Sequence, residues 1–464
     1  MIIDGGTLTV GQLQGFNAPT FLNGTLNLTN DSLAVGPAGL FGSTLTLQSN
    51  RSLSVGNTVT VDPTGLLTVD QTTLTAGTLN NNGQVVLNGA SAFLNGGTFN
   101  NSGRLSGGGR IGMSIVNSAT GLIQVASGDH LIADGTQNSN AGRIDLAGGT
   151  LELVNATQNL AGGLIAGHGS VISRTAFTNA CTMTFSGVTD FIGDITNSAT
   201  GLILVTGGGP TTFYDDLTHN GEIRTSPGAT TVYLGAVTGP GVFTGGGVNR
   251  FEGDFTPGAS PADIPFAGDV AFSSTASLGI ELAGAGGVPG VDFDALNVAG
   301  NVALDGTLNI STFGGYAPQP GMTFNIITFG GSLTGAFSNV VNQTGLTGLI
   351  LNVTSDANSV ILTLDSLAGD LNLDGFVGIA DLNIVLGSWN QNVPPGDPLA
   401  DPSGDGFVGI EDLNAVLGNW NAGTPPPAEA SGTVPEPGTL VLLGLSSVII
   451  CRRRYGNRWV RMCI

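Results

Sequence analysis

The sequence contains no lysine, and its few basic residues are concentrated at one end. All 12 basic residues are arginine, and five of them lie within the last 13 positions. Residues 1–437 therefore hold 33 acidic residues against seven arginines. A surface with this excess of negative charge repels phosphate backbones, which argues against nucleic acid as a partner. It suits a protein that stays soluble outside the cell or gathers divalent cations.

Cysteine and aromatic residues are also scarce. The three cysteines, Cys181, Cys451 and Cys463, do not make a disulfide framework. An aromatic content of 6% gives no visible stacking platform for sugars. The first residues, MIIDGGTLTVGQLQGFN, lack the basic and then apolar segments of a signal peptide. Because the other end of the chain argues for export, we expect the start to be truncated or misassigned.

The first half of the chain is repetitive. GTLNNNG (77–83) recurs as GTFNNSG (97–103), and VNSATGLIQV (116–125) recurs as TNSATGLILV (196–205). Each unit has a polar turn, a glycine and then a short alternating or apolar run, which is typical of a short strand. The turn glycines recur about every 20 residues, with one place unmarked near residue 182: Gly83, Gly103, Gly121, Gly142, Gly162, Gly201 and Gly221.

Such a unit predicts a mostly β fold, a right-handed β-solenoid in which each turn covers the apolar face of its neighbour. Asparagine at repeated turn positions can form ladders between stacked turns. An irregular β-sandwich with glycine-rich turns is the alternative. Residues 1–250 resemble the β-helix passengers of autotransporter-like bacterial adhesins. Residues 251–366 resemble the strand-rich segment that follows such regions in planctomycete-type surface proteins, and they predict terminal coils or a β-sandwich cap.

Two copies of an acidic phrase follow, within residues 367–422. Each has oxygen-bearing side chains at positions 1, 3, 5 and 12 of a loop, a glycine at position 6 and a backbone carbonyl at position 7, as a calcium loop requires. Two calcium ions are therefore predicted as cofactors. We expect Val377 and Val408 to pair the loops through a short backbone bridge. The predicted ligands are Asp370, Asn372, Asp374, Phe376 and Asp381 in the first loop, and Asp401, Ser403, Asp405, Phe407 and Asp412 in the second.

An apolar helical stripe follows each loop, and we expect the two stripes to bury each other. The stripes comprise Leu382, Val385, Leu386 and Trp389, then Leu413, Val416, Leu417 and Trp420. This arrangement resembles a type I dockerin, a duplicated calcium module that docks onto cohesin domains. The resemblance implies a cohesin-like partner and assigns partner choice to positions 10 and 11 of each loop. In this sequence those residues are Ile379, Ala380, Ile410 and Glu411.

A proline-rich linker, 423–433, leads to the C-terminal segment 434–464. Pro435, Glu436 and Pro437 precede an apolar run, 439–451, and then three arginines. Thirteen residues fall short of a usual membrane span of about 20 residues, so we expect transient insertion, with a permanent transmembrane helix as the alternative. The segment resembles the PEP-CTERM sorting signal. That resemblance implies an exosortase-type partner and makes Pro435, Glu436 and Pro437 processing residues.

One acidic stretch, FYDDLTHNGEIR, is a candidate catalytic site because β-helices carry many polysaccharide-degrading enzymes. Asp215 and Asp216 should point to opposite faces of a strand and not converge. Solvated turns and outer-face positions explain Asp215, Asp216, His219, Glu222 and Arg224 equally well. His130 and His168, next to turn glycines, are predicted at the surface. No catalytic residue is therefore predicted.

These patterns together predict a non-enzymatic, exported protein of the cell surface or extracellular matrix. A solenoid stalk would project, a calcium-stabilised dockerin-like module would attach it, and the C-terminal signal would be clipped during sorting. The alternative is a secreted carbohydrate-active protein that its dockerin tethers to a larger assembly. An extracellular polysaccharide is a further candidate partner.

Overall fold

The computed structural model describes residues 1–13 and 19–425. The chain divides into two compact units, residues 1–367 and residues 368–464. The predicted sorting segment 434–464 and all but the first residues of the linker lie outside the described residues.

The first unit is built of β-strands in chain order. Its first strands are β1 (Ile2–Val10), β2 (Thr20–Leu28), β3 (Leu33–Val35), β4 (Thr44–Leu47), β5 (Arg51–Val61), β6 (Leu66–Asp70), β7 (Thr73–Asn81), β8 (Gln84–Asn88), β9 (Phe93–Asn101), β10 (Arg104–Gly107), β11 (Gly109–Ile111), β12 (Ser114–Asn117), β13 (Leu122–Ala126) and β14 (His130–Ala133). The middle strands are β15 (Asn138–Asn140), β16 (Arg143–Leu153), β17 (Thr157–Asn159), β18 (Leu164–Ser173), β19 (Phe177–Asn179), β20 (Thr182–Ile192), β21 (Ile195–Asn197), β22 (Leu202–Val205), β23 (Thr211–Phe213), β24 (Leu217–His219), β25 (Glu222–Thr225), β26 (Thr230–Tyr233), β27 (Val237–Gly239) and β28 (Val242–Thr244). The last strands are β29 (Val248–Phe251), β30 (Asp254–Pro257), β31 (Asp263–Phe266), β32 (Asp269–Phe272), β33 (Ser277–Leu282), β34 (Ala295–Val298), β35 (Val302–Leu304), β36 (Thr307–Thr312), β37 (Thr323–Phe329), β38 (Leu333–Gly335), β39 (Asn339–Asn342), β40 (Leu349–Ser355) and β41 (Ser359–Ser366). The second unit contains α1 (Ile379–Gly387), a 3-10 turn (Pro398–Ala400) and α2 (Ile410–Gly418).

The strands wind into a right-handed β-solenoid of about 14 turns. Successive turns contribute strand segments to three faces, each a ladder of parallel strands, which confirms the predicted solenoid and excludes the sandwich alternative for this region. Face A contains β1, β2, β11, β14, β23, β26, β29, β32, β35 and β38, and face C contains β4, β6, β8, β10, β13, β22, β25, β28, β31, β34 and β37. Face B contains β3, β12, β15, β17, β19, β21, β24, β27, β30, β33, β36 and β39. Six long strands bend round a corner and serve two faces: β5, β7 and β9 (A and B), and β16, β18 and β20 (C and A).

Alternation along each strand places apolar side chains in the core and polar ones outside. In β6, Leu67 and Val69 are fully buried, while Leu66, Thr68 and Asp70 between and beside them are half-buried. The corner glycines permit the close stacking of turns. A Cβ atom on Gly103 would lie 2.3 Å from the carbonyl oxygen of Gly83 in the preceding turn. The glycine period of the sequence therefore reflects backbone contact between successive turns.

The interior of the middle turns carries a column of aromatic rings. Ring centroids are 5.9 Å apart between Phe191 and Phe213, 5.8 Å between Phe213 and Tyr233, and 4.9 Å between Tyr233 and Phe251. Phe272 continues the column at 5.2 Å from Phe251. The few aromatic residues of this region therefore supply core packing, each ring resting on the next turn.

A buried asparagine ladder runs along the inner side of face B. In each step the side-chain amide nitrogen of one asparagine donates to the amide oxygen of the next, over 2.7 to 2.8 Å. The ladder consists of Asn81, Asn101, Asn117, Asn140, Asn159, Asn179 and Asn197. Each amide also donates to a nearby backbone carbonyl, such as that of Leu122 or Arg143. The ladder predicted from the repeated asparagines is confirmed.

His219 ends this ladder, and its predicted place on the outer surface is wrong. The residue is 1% exposed, because it occupies the inward position that asparagine holds in the preceding turns. Nδ1 lies 3.3 Å from the amide nitrogen of Asn197, and Nε2 lies 3.1 Å from the carbonyl oxygen of Val242. The ring thus accepts from one turn and donates to the next. Burial lowers the pKa of His219 to about 4, so the neutral ring is the stable form at neutral pH.

We expect acid to destabilise the solenoid through His219. The unfolded histidine takes up a proton near its ordinary pKa of 6.5, while the buried ring does so only at about 4. Between these values the unfolded state binds more protons, so stability falls as the pH falls, by about 3 kcal/mol in all. His219→Asn continues the ladder with a group that does not titrate. Urea unfolding measured above pH 6.5 and near pH 4 should therefore show a smaller decrease in the free energy of unfolding for this variant than for the parent.

A second buried group, Asp294, titrates in the same pH range, and its effect on stability has the opposite sign. Burial raises the pKa of Asp294 to about 6, although its carboxylate accepts from the backbone N–H groups of Ala262 (2.7 Å) and Glu281 (2.9 Å). Its contribution to stability falls as the pH rises through that window. Because Asp294 is present in both proteins, only the difference between them reports on His219. Parallel pH curves would contradict the assignment.

Parallel stacking continues past residue 250 without interruption. Face A pairs β29 with β32, and face B pairs β30 with β33 and β33 with β36. Terminal coils therefore account for most of residues 251–366. Only the last two strands differ: β40 and β41 form an antiparallel hairpin, and β41 pairs antiparallel with β37. This hairpin covers an edge that would otherwise expose unpaired backbone groups.

Candidate calcium loops and sorting signal

The second unit places each twelve-residue loop directly before a helix. Gly378 precedes α1 and Gly409 precedes α2, and each donates its backbone N–H to the aspartate three residues later. The distances are 2.8 Å to Asp381 and 2.7 Å to Asp412. A carboxylate in the first turn also offsets the positive end of the helix dipole. Position 12 of each predicted loop is therefore held at a helix start.

The first loop closes around its aspartates. Asp381 also accepts from the backbone N–H groups of Leu371 (2.8 Å) and Asn372 (3.2 Å). Asp370 accepts from those of Asp374 (3.2 Å) and Gly375 (2.9 Å). Gly375 has φ +88°, a left-handed conformation that glycine adopts without strain. The carboxylates at positions 1 and 12 of this loop are thus held by backbone N–H groups.

The second loop repeats this arrangement. Asp412 accepts from the N–H of Ser403 (3.1 Å), and Asp401 accepts from that of Gly406 (2.9 Å). Gly406 has φ +85°. The Ser403 hydroxyl donates to Asp401 over 3.0 Å, and Asp405 accepts from the N–H of Phe407. The duplication seen in the sequence is therefore a duplication of loop geometry as well.

The donor types of the two loops are those of a calcium site, but their described side chains are not gathered into a metal cluster. Each loop offers three carboxylates, an amide or hydroxyl oxygen and a phenylalanine carbonyl, which are the donors that calcium prefers. Asp370 is 3% exposed, and burial raises its pKa, with the negative charges of Asp381 and Asp374 adding to the rise. Within residues 1–13 and 19–425, no group of three or more His, Cys, Asp or Glu side chains is arranged to hold a metal ion.

Backbone hydrogen bonds interlock the two halves of the unit, in a way that the sequence did not predict. Val377 pairs with the segment after α2, because its N–H donates to Ala422 and its carbonyl accepts from Asn421. Val408 pairs with Asn390 and Gln391, which follow α1. The expected bridge between Val377 and Val408 is therefore wrong. Each loop is fastened to the segment that follows the other helix, and both valines are fully buried.

The helices bury less of their apolar stripes than we expected. Val385 and Val416 are fully buried, and Leu382 and Leu413 are half-buried. Four stripe residues are exposed by 40% to 50%: Leu386, Trp389, Leu417 and Trp420. The expectation that the stripes bury each other is therefore wrong for these four side chains.

The predicted partner positions are exposed in both halves. Ile379 is 63% exposed and Ile410 is 60% exposed, and each begins its helix. Ala380 and Glu411 beside them are exposed as well. On each helix the isoleucine lies seven residues before an exposed leucine, a spacing that falls on one helical face. An exposed tryptophan follows two residues after the end of each helix. The unit therefore presents two equivalent apolar faces.

The residues of the acidic stretch FYDDLTHNGEIR contact different turns of the solenoid. Asp215 accepts from the N–H of Gly193 (2.6 Å) in the preceding turn, whereas Asp216 accepts from that of Ala236 (2.9 Å) in the following one. Glu222 pairs with Arg224 over 2.7 Å on the outer side of face C. The hydrogen bond from the Thr244 hydroxyl lowers the pKa of Glu222, and Arg224 lowers it further by a smaller amount. His130 is exposed and lies 2.8 Å from Glu152.

Comparison with protein families gives a match at the C-terminus. Residues 433–454 match the PEP-CTERM protein-sorting motif. This motif indicates an exported, surface-sorted protein that an exosortase-type enzyme processes. No curated protein matches the chain. The likeness to autotransporter-like adhesins and dockerins therefore remains a prediction from the residues.

The PEP-CTERM segment includes the processing residues Pro435, Glu436 and Pro437 and the apolar run 439–451. These positions lie outside the described residues, so their transient membrane insertion stays a prediction. Among the residues that the structure describes, no helix is long and apolar enough to cross a membrane.

Proposed function

We propose that this chain is a non-enzymatic structural protein of the cell surface or matrix, attached to a partner through its duplicated calcium loops. The sorting motif establishes export, and the solenoid supplies an elongated scaffold. The observation that carries the attachment role is the pair of equivalent apolar helix faces in the second unit. Large exposed apolar side chains are typical of binding surfaces when they form a contiguous patch.

Calcium would hold these faces in place. The ligands would be Asp370, Asn372, Asp374, Asp381 and the Phe376 carbonyl in the first loop, with Asp401, Ser403, Asp405, Asp412 and the Phe407 carbonyl in the second. The ion supplies positive charge in a stretch, residues 369–421, that contains eight acidic residues and no basic one. A loop that folds around the ion fixes the start of the following helix. Partner binding should therefore depend on calcium.

The alternative of a carbohydrate-degrading enzyme has less support. A glycosidase needs two carboxyl groups that flank one bond. Asp215 and Asp216 instead bind backbone groups of different turns, and Glu222 is paired with an arginine. We therefore retain the structural role as the proposal.

Capture of a surface protein by the immobilised full-length chain tests this function. We expect a partner of cohesin-like character to be retained in calcium and released by chelator. Ile379→Asp combined with Ile410→Asp should abolish retention, because it places charge on both apolar faces. Val188→Asp is the matched control, since Val188 is an equally exposed apolar residue of the solenoid at 60%.

Retention that survives chelator, or the double substitution, would contradict attachment through these faces. If nothing is retained although calcium demonstrably binds, the loops act only as a structural clasp, and the attachment role is lost.

A further inference from the structure

An uncharged groove lies on the outer side of face B, across β12, β15 and β17. Its volume is about 440 Å³, within the range of small-molecule sites. Most of its lining consists of hydroxyl and amide side chains, among them Thr98, Ser114, Gln137, Ser139 and Gln158. Two lining residues are apolar, Val116 and Ala156. The groove belongs to the solenoid and is distinct from the calcium loops.

Unequal turn lengths produce the groove. Successive ladder asparagines are 20 residues apart from Asn81 to Asn101, but only 16 apart from Asn101 to Asn117. The next step, to Asn140, spans 23 residues. A short turn therefore lies between longer ones, and Gln137, directly before β15 in the longer turn, lines the groove. Since the ladder fixes the strands, this recess is part of the folded scaffold.

The lining chemistry matches hydroxyl groups. Amides and hydroxyls each donate and accept hydrogen bonds, as the hydroxyls of a sugar do. Gln137 and Gln158 are exposed at the groove, and Val116, which is 42% exposed, adds an apolar contact to the lining. Side-chain amides would contact a sugar here through hydrogen bonds, without the stacking that aromatic residues provide.

Polar columns continue from the groove along the solenoid axis. Thr58, Thr78, Thr98 and Ser114 are in register on adjacent turns, and Asn80 is in register with Asn100. Adjacent turns are separated by the strand spacing of about 4.8 Å. That repeat is comparable to the length of one sugar residue in an extended chain. A polymer lying along the axis would therefore meet a polar side chain at each step.

Charge limits the ligand to a neutral one. The outward residues of face B are uncharged from Thr58 through Gln158. The whole chain carries a formal net charge of −21, which repels uronic-acid and sulfated polymers. An acidic matrix polymer is therefore disfavoured both locally and at long range.

We propose that this groove binds a neutral polysaccharide, with the polymer lying along the solenoid axis. No bond is made or broken. The role is recognition, and it does not depend on the calcium loops, so the two assignments fail separately.

Retention of the full-length protein on neutral and acidic polysaccharides, in chelator, tests this site. We expect retention on at least one neutral polymer, insensitivity to salt and no retention on acidic polymers. Gln137→Ala combined with Gln158→Ala should weaken binding at least about tenfold, because two amide contacts are lost. Ser139→Trp should weaken it as well by filling the groove.

Gln84→Ala is the matched control, because Gln84 is an exposed glutamine on face C. It should bind as the parent does. The proposal is overturned if no neutral polymer is retained, if the glutamine pair can be removed without effect, or if binding is lost in salt. Equal thermal unfolding of all variants would show that the exposed substitutions leave the fold intact.

Discussion

Asn101→Ala is expected to lower the free energy of unfolding by about 3 kcal/mol, whereas Asn100→Ala, one residue earlier, should cost about 1 kcal/mol or less. Asn101 is fully buried. It donates to Asn117 and accepts from Asn81, each over 2.7 Å. Asn100 points outward, and its amide makes one hydrogen bond, to Asn80 over 2.8 Å. The same residue type is therefore tested on both sides of one strand.

Asn101→Ala costs more than Asn100→Ala because it leaves buried hydrogen-bonding groups without partners. Without Asn101, the amide oxygen of Asn117 loses its donor and one N–H of Asn81 loses its acceptor, both inside the core. Each buried orphan costs about 1–3 kcal/mol, and the cavity adds to that cost. At the position of Asn100 water can replace the lost partner. Leucine would not repair the inner site, since the neighbouring amides would still lack partners.

Hydrogen exchange is the sharpest measurement, because a solenoid can open locally from turn to turn. For Asn101→Ala we expect amides between Asn81 and Leu122 to lose about a hundredfold in protection, with distant turns less affected. Urea unfolding followed by circular dichroism gives the global value. Equal effects of the two substitutions would contradict a buried network at this position.

The sequence predicted the ladder but misplaced His219, for a specific reason. The asparagine follows Val116 in VNS, Thr178 in TNA and Thr196 in TNS, and the corresponding stretch at Thr218 is THN. Alignment of these short stretches would have placed the histidine at the inner position. The charged residues around His219 resemble a catalytic cluster and obscure this repeat. The ladder shows that an imidazole can substitute for an amide, with one acceptor and one donor.

Other features depended on the register between turns, which the sequence does not display. Phe213 and Tyr233 are 20 residues apart and look isolated in the sequence, yet their rings stack inside the solenoid. The groove likewise follows from turns of 16 and 23 residues, whose mismatch is visible only once the asparagines are paired. Similarly, the pairing of Val408 with the segment after α1 links residues that no local loop pattern connects.

Removal of calcium is expected to unfold the second unit while the solenoid remains intact. Six aspartates of the two loops lie in a stretch without a basic residue, so without the ion they repel one another. Each ion bound at a thousandfold excess over its dissociation constant stabilises the folded form by about 4 kcal/mol. Chelator should therefore abolish the exchange protection of the Val377–Ala422 and Val408–Gln391 backbone pairs. Amides of the buried strands should keep theirs.

Substitution of Asp381, at position 12 of the first loop, distinguishes binding of the ion by this carboxylate from a general effect of negative charge. Asp381→Asn should reduce the stoichiometry in calorimetry from two calcium ions to one, since it removes one carboxylate from the first loop. Asp397→Asn is the control: Asp397 lies between the loops, where it accepts from the N–H of Leu399, and two ions should still bind. The backbone bonds to Asp381 occupy three of its roughly four acceptor positions, so an acceptor position remains for the ion.

If chelator leaves exchange unchanged and calorimetry detects no binding, the loops are closed by these backbone bonds alone. The repeated acidic phrase would then be a pair of helix-capping turns, and its excess charge would need another explanation.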